Sequence, residues 1–203
     1  MPSIYQIKPR FQAVLRPAVG GLARCGVTAN QVTLLACAVS VTLGCGVYGA
    51  GSSTAGLLAI AVWMLLRMGL NAVDGMLARE HGQASRLGAL LNELTDVISD
   101  AALYLPLAAI TPLQPLWVAV FIVLAGVSEF AGALGPVVGA SRRYDGPMGK
   151  SDRAFVVGLL CLWAAAAPLP PWMSAAMPLL SALVAWTTLN RIRMALAETG
   201  ARP

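Results

Sequence analysis

Residues 71–100 read NAVDGMLAREHGQASRLGALLNELTDVISD, and Asp74, Glu93, Asp96 and Asp100 stand within stretches apolar enough to cross a membrane. A carboxylate at such depth is costly unless it faces a partner, a metal or water, so its default reading is a functional one. Asn71 and Asp74 are three residues apart, and Gly88, Asn92, Asp96 and Asp100 recur every four, so each set shares one helical face. His81-Gly82 reads as a helix stop and Ser85 as a helix start, which predicts an antiparallel hairpin of helices over 53–81 and 85–109. At a rise of about 1.5 Å per residue from the turn, Asp74 and Asn92 lie about 10 Å deep, and Asn71 and Asp96 about 15–16 Å. The two polar stripes are therefore level.

Oxygen donors meeting from two helices suit a hard divalent cation, Mg²⁺ or Mn²⁺, with Asn71, Asp74, Asn92 and Asp96 as the candidate ligands. Gly75, Ala78 and Gly88 leave backbone open to a ligand, and Arg79 offers a fork of donors suited to phosphate. The two amides can lend a carbonyl oxygen to a metal, but they carry no charge and cannot act as bases.

These residues resemble the signature of the CDP-alcohol phosphotransferase (CDP-alcohol phosphatidyltransferase) family, Asp-x-x-Asp-Gly-x-x-Ala-Arg-x8-Gly-x3-Asp-x3-Asp. The chain reads Asn71-x-x-Asp74-Gly75-x-x-Ala78-Arg79-x8-Gly88-x3-Asn92-x3-Asp96, matching six of the eight signature positions at the family spacing. The departures are Asn at the first and third acidic positions. By this resemblance the expected reaction moves a phosphatidyl or phosphoalcohol group from a CDP-linked lipid donor, such as CDP-diacylglycerol, to a small alcohol acceptor with release of CMP, in phospholipid biosynthesis. Asp96 stands at the position the family assigns to the general base, Gly75, Ala78, Arg79 and Gly88 at donor-binding positions, and a homodimer is implied.

Composition agrees with a membrane class. The chain has 203 residues, 58% hydrophobic and 11% charged, with a mean hydropathy of +0.72 and a net charge of +5, which excludes an ordinary soluble domain. Nothing in the pattern calls for a nucleic-acid partner. Cys25, Cys37, Cys45 and Cys161 show neither a paired nor a metal-ligand spacing, and His81 at a helix end reads as a cap.

Outward from the hairpin, the pattern predicts an all-α integral membrane protein, a single domain over 1–203. An amphipathic N-terminal segment (1–27) carries Ile4, Ile7, Phe11, Val14, Leu15 and Leu22 on one face, bent at Pro17, and suits a membrane surface or packing on the bundle. Six transmembrane helices follow within 28–197, then a tail, 198–203. The first opens with a capping box, Thr28 to Gln31, and Ala29-Asn30-Gln31-Val32-Thr33 is similar to a substrate-side run of the family. Later spans are expected over 113–139, 151–167 and 172–196, with Pro106 kinking the helix over 85–109. No leader is expected, since the first long apolar run begins near Thr28. Turns near Ala50, Pro112 and Pro170 lack Lys and Arg, and every Lys and Arg except Arg67 falls in the other segments, so the N-terminus and the open end of the site are expected on the cytoplasmic side of the inner membrane.

Depth counting sets Arg67 level with Asp100 at about 21–23 Å, predicting a buried ion pair that supports the site. Glu129 is expected at the depth of Asn71 and Asp96, where it could supply a carboxylate or pack between helices. Arg142, Lys150 and Arg153 near the 140–150 loop are candidates to bind acceptor phosphate or anionic headgroups. They tilt the expectation towards a phosphorylated acceptor. Two other readings stay open: a CDP-lipid binder that has lost catalytic ligands, and a transporter whose buried charges line a pathway.

Overall fold

The computed structural model describes residues 4–200, with side chains from Gln12 onward. Among the described residues the protein is all-helical: α1 (Ile4–Arg24), α2 (Ala29–Gly49), α3 (Thr54–Glu80), α4 (Arg86–Tyr104), α5 (Pro115–Ala133), α6 (Lys150–Ala166) and α7 (Ala176–Glu198). Short 3-10 turns follow α4 and α5 and precede α7.

α2, α3, α5 and the Pro171–Glu198 segment are long and apolar enough to cross a membrane. This is a membrane protein. Of the six spans expected, four meet that description. α4 carries Arg86, Glu93, Asp96 and Asp100, which dilute its hydropathy, and α6 has only 17 residues. Both nonetheless pack into the bundle, α4 against α2 and α6 against α3, while α5 lies against α7.

The cap residues act where the sequence puts them. Thr28 Oγ1 accepts from Gln31 N at 3.2 Å while Gln31 Oε1 accepts from Thr28 N at 2.9 Å, which closes a reciprocal capping box. Ser53 and Ser85 cap α3 and α4. Gln83 in the α3–α4 turn accepts from Ala29 N at 2.7 Å and donates to the Val27 carbonyl at 3.2 Å, fastening the hairpin to the start of α2. Further along α2, a Cβ added at Gly44 would lie 2.1 Å from the Ala102 carbonyl oxygen. Only a glycine admits that crossing of α2 over α4.

The core of the bundle joins Ile60 and Met64 of α3, Leu103 and Tyr104 of α4, Phe121 of α5 and Val157 of α6. Much of the outside is equally apolar, with Leu35, Val62, Leu65, Leu94 and Leu179 exposed, as a lipid-facing surface requires.

Two helices stop short of expectation. α4 ends at Tyr104 and gives way to a 3-10 turn over Leu105–Ala109, because Pro106 has no N–H to continue the ladder. α5 ends at Ala133, ahead of Gly135-Pro136, instead of running to 139. The N-terminal helix is continuous through Pro17, and Val19 is wholly buried, with Leu15 and Leu22 packed beside it against Val73, Met76 and Leu77. Its second half packs on the bundle, while Val14 points away at 77% exposure. Ile4, Ile7 and Phe11 of the expected amphipathic face lie outside the described side chains.

Candidate active site

α3 and α4 deliver their polar stripes to two adjoining cavities. The outer one, about 420 Å³, is lined by Thr33, Asp74, Gly75, Ala78, Arg79 and Gly88, among others. The inner one, about 480 Å³, is lined by Arg67, Asp96, Glu129, Lys150 and Arg191, among others. Asn71, Asn92, Arg142 and Tyr144 line both. The amides thus stand at the boundary, with Asp74 on one side and Asp96 on the other.

The outer cavity has small walls. Asp74 is buried and accepts a hydrogen bond from the Thr33 hydroxyl at 2.8 Å. That partner comes from the Asn30-Gln31-Val32-Thr33 run, so the family-like stretch does reach the hairpin. A Cβ at Gly88 would meet Asn30 Oδ1 at 2.8 Å and Ser85 Oγ at 3.0 Å, and one at Gly75 would meet the Arg79 guanidinium at 3.1 Å. Arg79 itself is exposed at the cavity mouth.

Ion pairs crowd the inner cavity. Arg67 donates to Asp100 Oδ1 at 2.5 Å and to the Asp96 carboxylate and carbonyl, each at 3.2 Å. The expected Arg67–Asp100 pair is present, and Asp96 shares its cation. Lys150, opening α6, forms a second ion pair with Asp96. Arg142 pairs with Glu93 and reaches Glu129 at 3.5 Å, while its guanidinium lies 4.8 Å from the centroid of Tyr144.

Behind this wall lies a layer the sequence reading placed elsewhere. Arg153 is completely buried and divides its guanidinium between Glu129 at 2.8 Å, Asp100 at 3.3 Å and the Met148 carbonyl at 3.3 Å. It does not face the cavity as a substrate contact. Arg191, 2% exposed, donates to the Ser128 carbonyl and approaches Glu129 at 3.3 Å. The positive-inside pattern assigned both arginines to the loop ends, and Arg67 is not the only cation within the bundle. A signal for Arg191 existed: Met177, Ser181, Val184, Thr187, Arg191 and Ala195 form the buried face of α7 at helical spacing.

The loop between α5 and α6 is pinned from α7. Ser141 N donates to Glu198 at 2.8 Å, Met148 N to Thr187 Oγ1 at 2.9 Å, and Arg143 pairs with Glu198. Arg143 is also bonded to Asp145 at 2.8 Å, and that hydrogen bond raises its already high pKa. It holds the loop, while Arg142 beside it turns to the cavities.

A family model described as CDP-alcohol phosphatidyltransferase matches residues 26–190. The chain belongs to the CDP-alcohol phosphatidyltransferase family. The chain is 43% identical over 197 residues to the inner membrane protein YnbA of Escherichia coli K12, covering 96% of both chains. The phosphatidylinositol phosphate synthase of Mycobacterium tuberculosis H37Rv is 28% identical over 198 residues, covering 94% of this chain and 89% of that one. A crystal structure of that species' phosphatidylinositol phosphate synthase with CDP-DAG bound superposes with a TM-score of 0.76 at 26% identity, covering 92% of this chain and 96% of the other. A manganese and citrate complex superposes equally well, with a TM-score of 0.76, 26% identity and coverage of 92% and 91%.

The donor atoms suit such a metal by type. Asn71, Asp74, Asn92 and Asp96 all offer oxygen, the preference of Mg²⁺ and Mn²⁺. Among the described residues no three acidic, histidine or cysteine side chains come together as a metal cluster. The set brings two carboxylates and two neutral amides, so it carries two fewer negative charges than a set of four carboxylates.

Proposed function

We propose that this chain transfers a phosphatidyl or phosphoalcohol group from a CDP-linked lipid, CDP-diacylglycerol in the first instance, to an alcohol. The observation that carries the proposal is the pair of adjoining cavities meeting at Asn71 and Asn92, one small-walled and one polar, as a two-substrate transfer needs. The donor's cytidine and pyrophosphate occupy the outer cavity, where Gly75, Ala78 and Gly88 leave room and Arg79 holds phosphate. The acceptor enters the inner cavity.

In the transfer, the acceptor oxygen forms a bond to the lipid-side phosphorus, the bond from that phosphorus to CMP breaks, and the electron pair leaves with CMP. Asp96 receives the hydroxyl proton, with Arg67 and Lys150 holding its carboxylate in place. Asp74 and Asp96, assisted by the amide oxygens of Asn71 and Asn92, would hold a divalent ion that supplies charge neutralisation to the pyrophosphate. Supported by the resemblance and the charge pattern, the reading includes one six-span membrane domain, a homodimer and an inner-membrane location with N-terminus and site cytoplasmic.

A second reading, a CDP-lipid binder without turnover, has its own support. Asn71 and Asn92 stand where the signature has carboxylates, and Lys150 already pairs with Asp96. The deciding experiment incubates purified protein with CDP-diacylglycerol, Mg²⁺ or Mn²⁺ and a panel of alcohols, measuring CMP. Release dependent on acceptor establishes transfer; donor binding without CMP establishes the binder.

A further inference from the structure

Glu129 stands among three guanidinium groups: Arg153 Nη2 at 2.8 Å, Arg191 Nη1 at 3.3 Å and Arg142 Nη2 at 3.5 Å. Two helices and a loop bring these groups together beside a polar cavity, with Arg142 and Arg191 lining it and Arg153 buried behind them, an arrangement suited to a phosphate. Here the anion is the protein's own side chain. The network's five cations, Arg67, Arg142, Lys150, Arg153 and Arg191, pair with four carboxylates, those of Glu93, Asp96, Asp100 and Glu129.

A single positive charge is left over. A phosphate dianion added there would lie against the Glu129 carboxylate in a region of low dielectric, with the cluster's best donors already engaged by that side chain. A neutral hydroxyl compound adds no charge and needs none of those arginines released.

We propose that Glu129 takes the place of a phosphate on this arginine cluster, so that the inner cavity accepts an alcohol carrying no phosphate group. This rests on the transfer reading for the word acceptor and reverses the tilt that the basic loop gave the sequence. Removing the carboxylate charge while keeping its shape turns the cluster into an anion site.

The test uses the full chain in detergent with inorganic phosphate as probe. Calorimetry is expected to show no phosphate binding to the parent and a gain of at least about tenfold in affinity for Glu129→Gln, the scale of a charge-assisted contact. Phosphate is also expected to raise the melting temperature of that variant and not of the parent. In the acceptor assay, glycerol should outperform glycerol 3-phosphate, and inositol its phosphate, with Glu129→Gln shifting both ratios towards the phosphorylated member. Phosphate binding by the parent, or preference of the parent for phosphorylated acceptors, overturns the proposal. If Glu129→Gln fails to fold, phosphate present during purification should rescue it, and failure of rescue counts against the idea. If no acceptor releases CMP, the transfer reading falls while the phosphate titrations still decide whether the cluster excludes anions.

Discussion

The two cavities are built in opposite ways. The outer one is shaped by what is missing, with glycines at 75 and 88 and an alanine at 78, and its buried carboxylate Asp74 has the Thr33 hydroxyl as partner. The inner one is shaped by what is crowded in, ion pairs drawn from α3, α4, α5, α6, α7 and the loop before α6. Small residues can be read from a local motif, because space for a ligand follows from a missing side chain. A charge network cannot, because each member is defined by a partner many residues away.

The sharpest way to break this division is at its catalytic edge. Asp96→Asn is expected to lower CMP release by about 10²–10⁴-fold while leaving CDP-lipid binding in place, whereas Asp74→Asn should lose both, as measured by turnover and donor titration. Near-parental turnover in Asp96→Asn would sink its assignment as base. Next in size is stability. Arg153→Met removes the nearest cation from Glu129 and one of the two cations on Asp100, and should cost about 3 kcal/mol, read from chemical or thermal unfolding in detergent. Arg79→Met, at the exposed mouth of the outer cavity, should leave stability within about 0.5 kcal/mol and weaken donor binding instead. Equal destabilisation by both would erase the contrast.

A third variant probes the boundary. Asn71→Asp with Asn92→Asp restores two charges beside Asp74 and Asp96 and should tighten Mn²⁺ binding by about tenfold or more in calorimetry. No tightening would mean that charge is not what limits the site. The smallest effect is expected at the loop, where Arg143→Ala removes a half-buried pairing with Asp145 and Glu198 at the protein's edge and should cost about 1 kcal/mol.

The sequence made the hairpin legible because its signals are local: Ser85 caps, Gly82 takes a positive φ of 67°, and the polar stripes recur at helical spacing. Arg67 and Asp100 were also within reach, since helical rise alone sets them level. The capping box at Thr28 was readable for the same reason. Arg153 was not, because a cation near a helix end satisfies the positive-inside pattern whether it faces water or a buried carboxylate, and Arg191 was marked only by its place in the buried spacing of α7. Glu129 was seen as a buried charge, but its partners come from a loop and two later helices whose packing no periodicity reveals. Asp74 bonding to Thr33 lies between these cases, hinted at by a family-like run yet fixed only when Gln83 ties the hairpin to α2.

The ion network also bears on how the chain is made. α3 and α4 carry Arg67 and Asp100 into the membrane as neighbours, so that pair can form as soon as the hairpin does. Glu129 arrives on α5 before α6 and α7 have been synthesised, and its strongest partner, Arg153, follows only after the next loop. During biogenesis the α5 carboxylate therefore has only Arg142, its most distant partner, until α6 and α7 follow. Chains ending before Lys150 should be degraded faster in cells than chains ending after Glu198, a difference pulse-chase labelling can measure, and Glu129→Gln should narrow it.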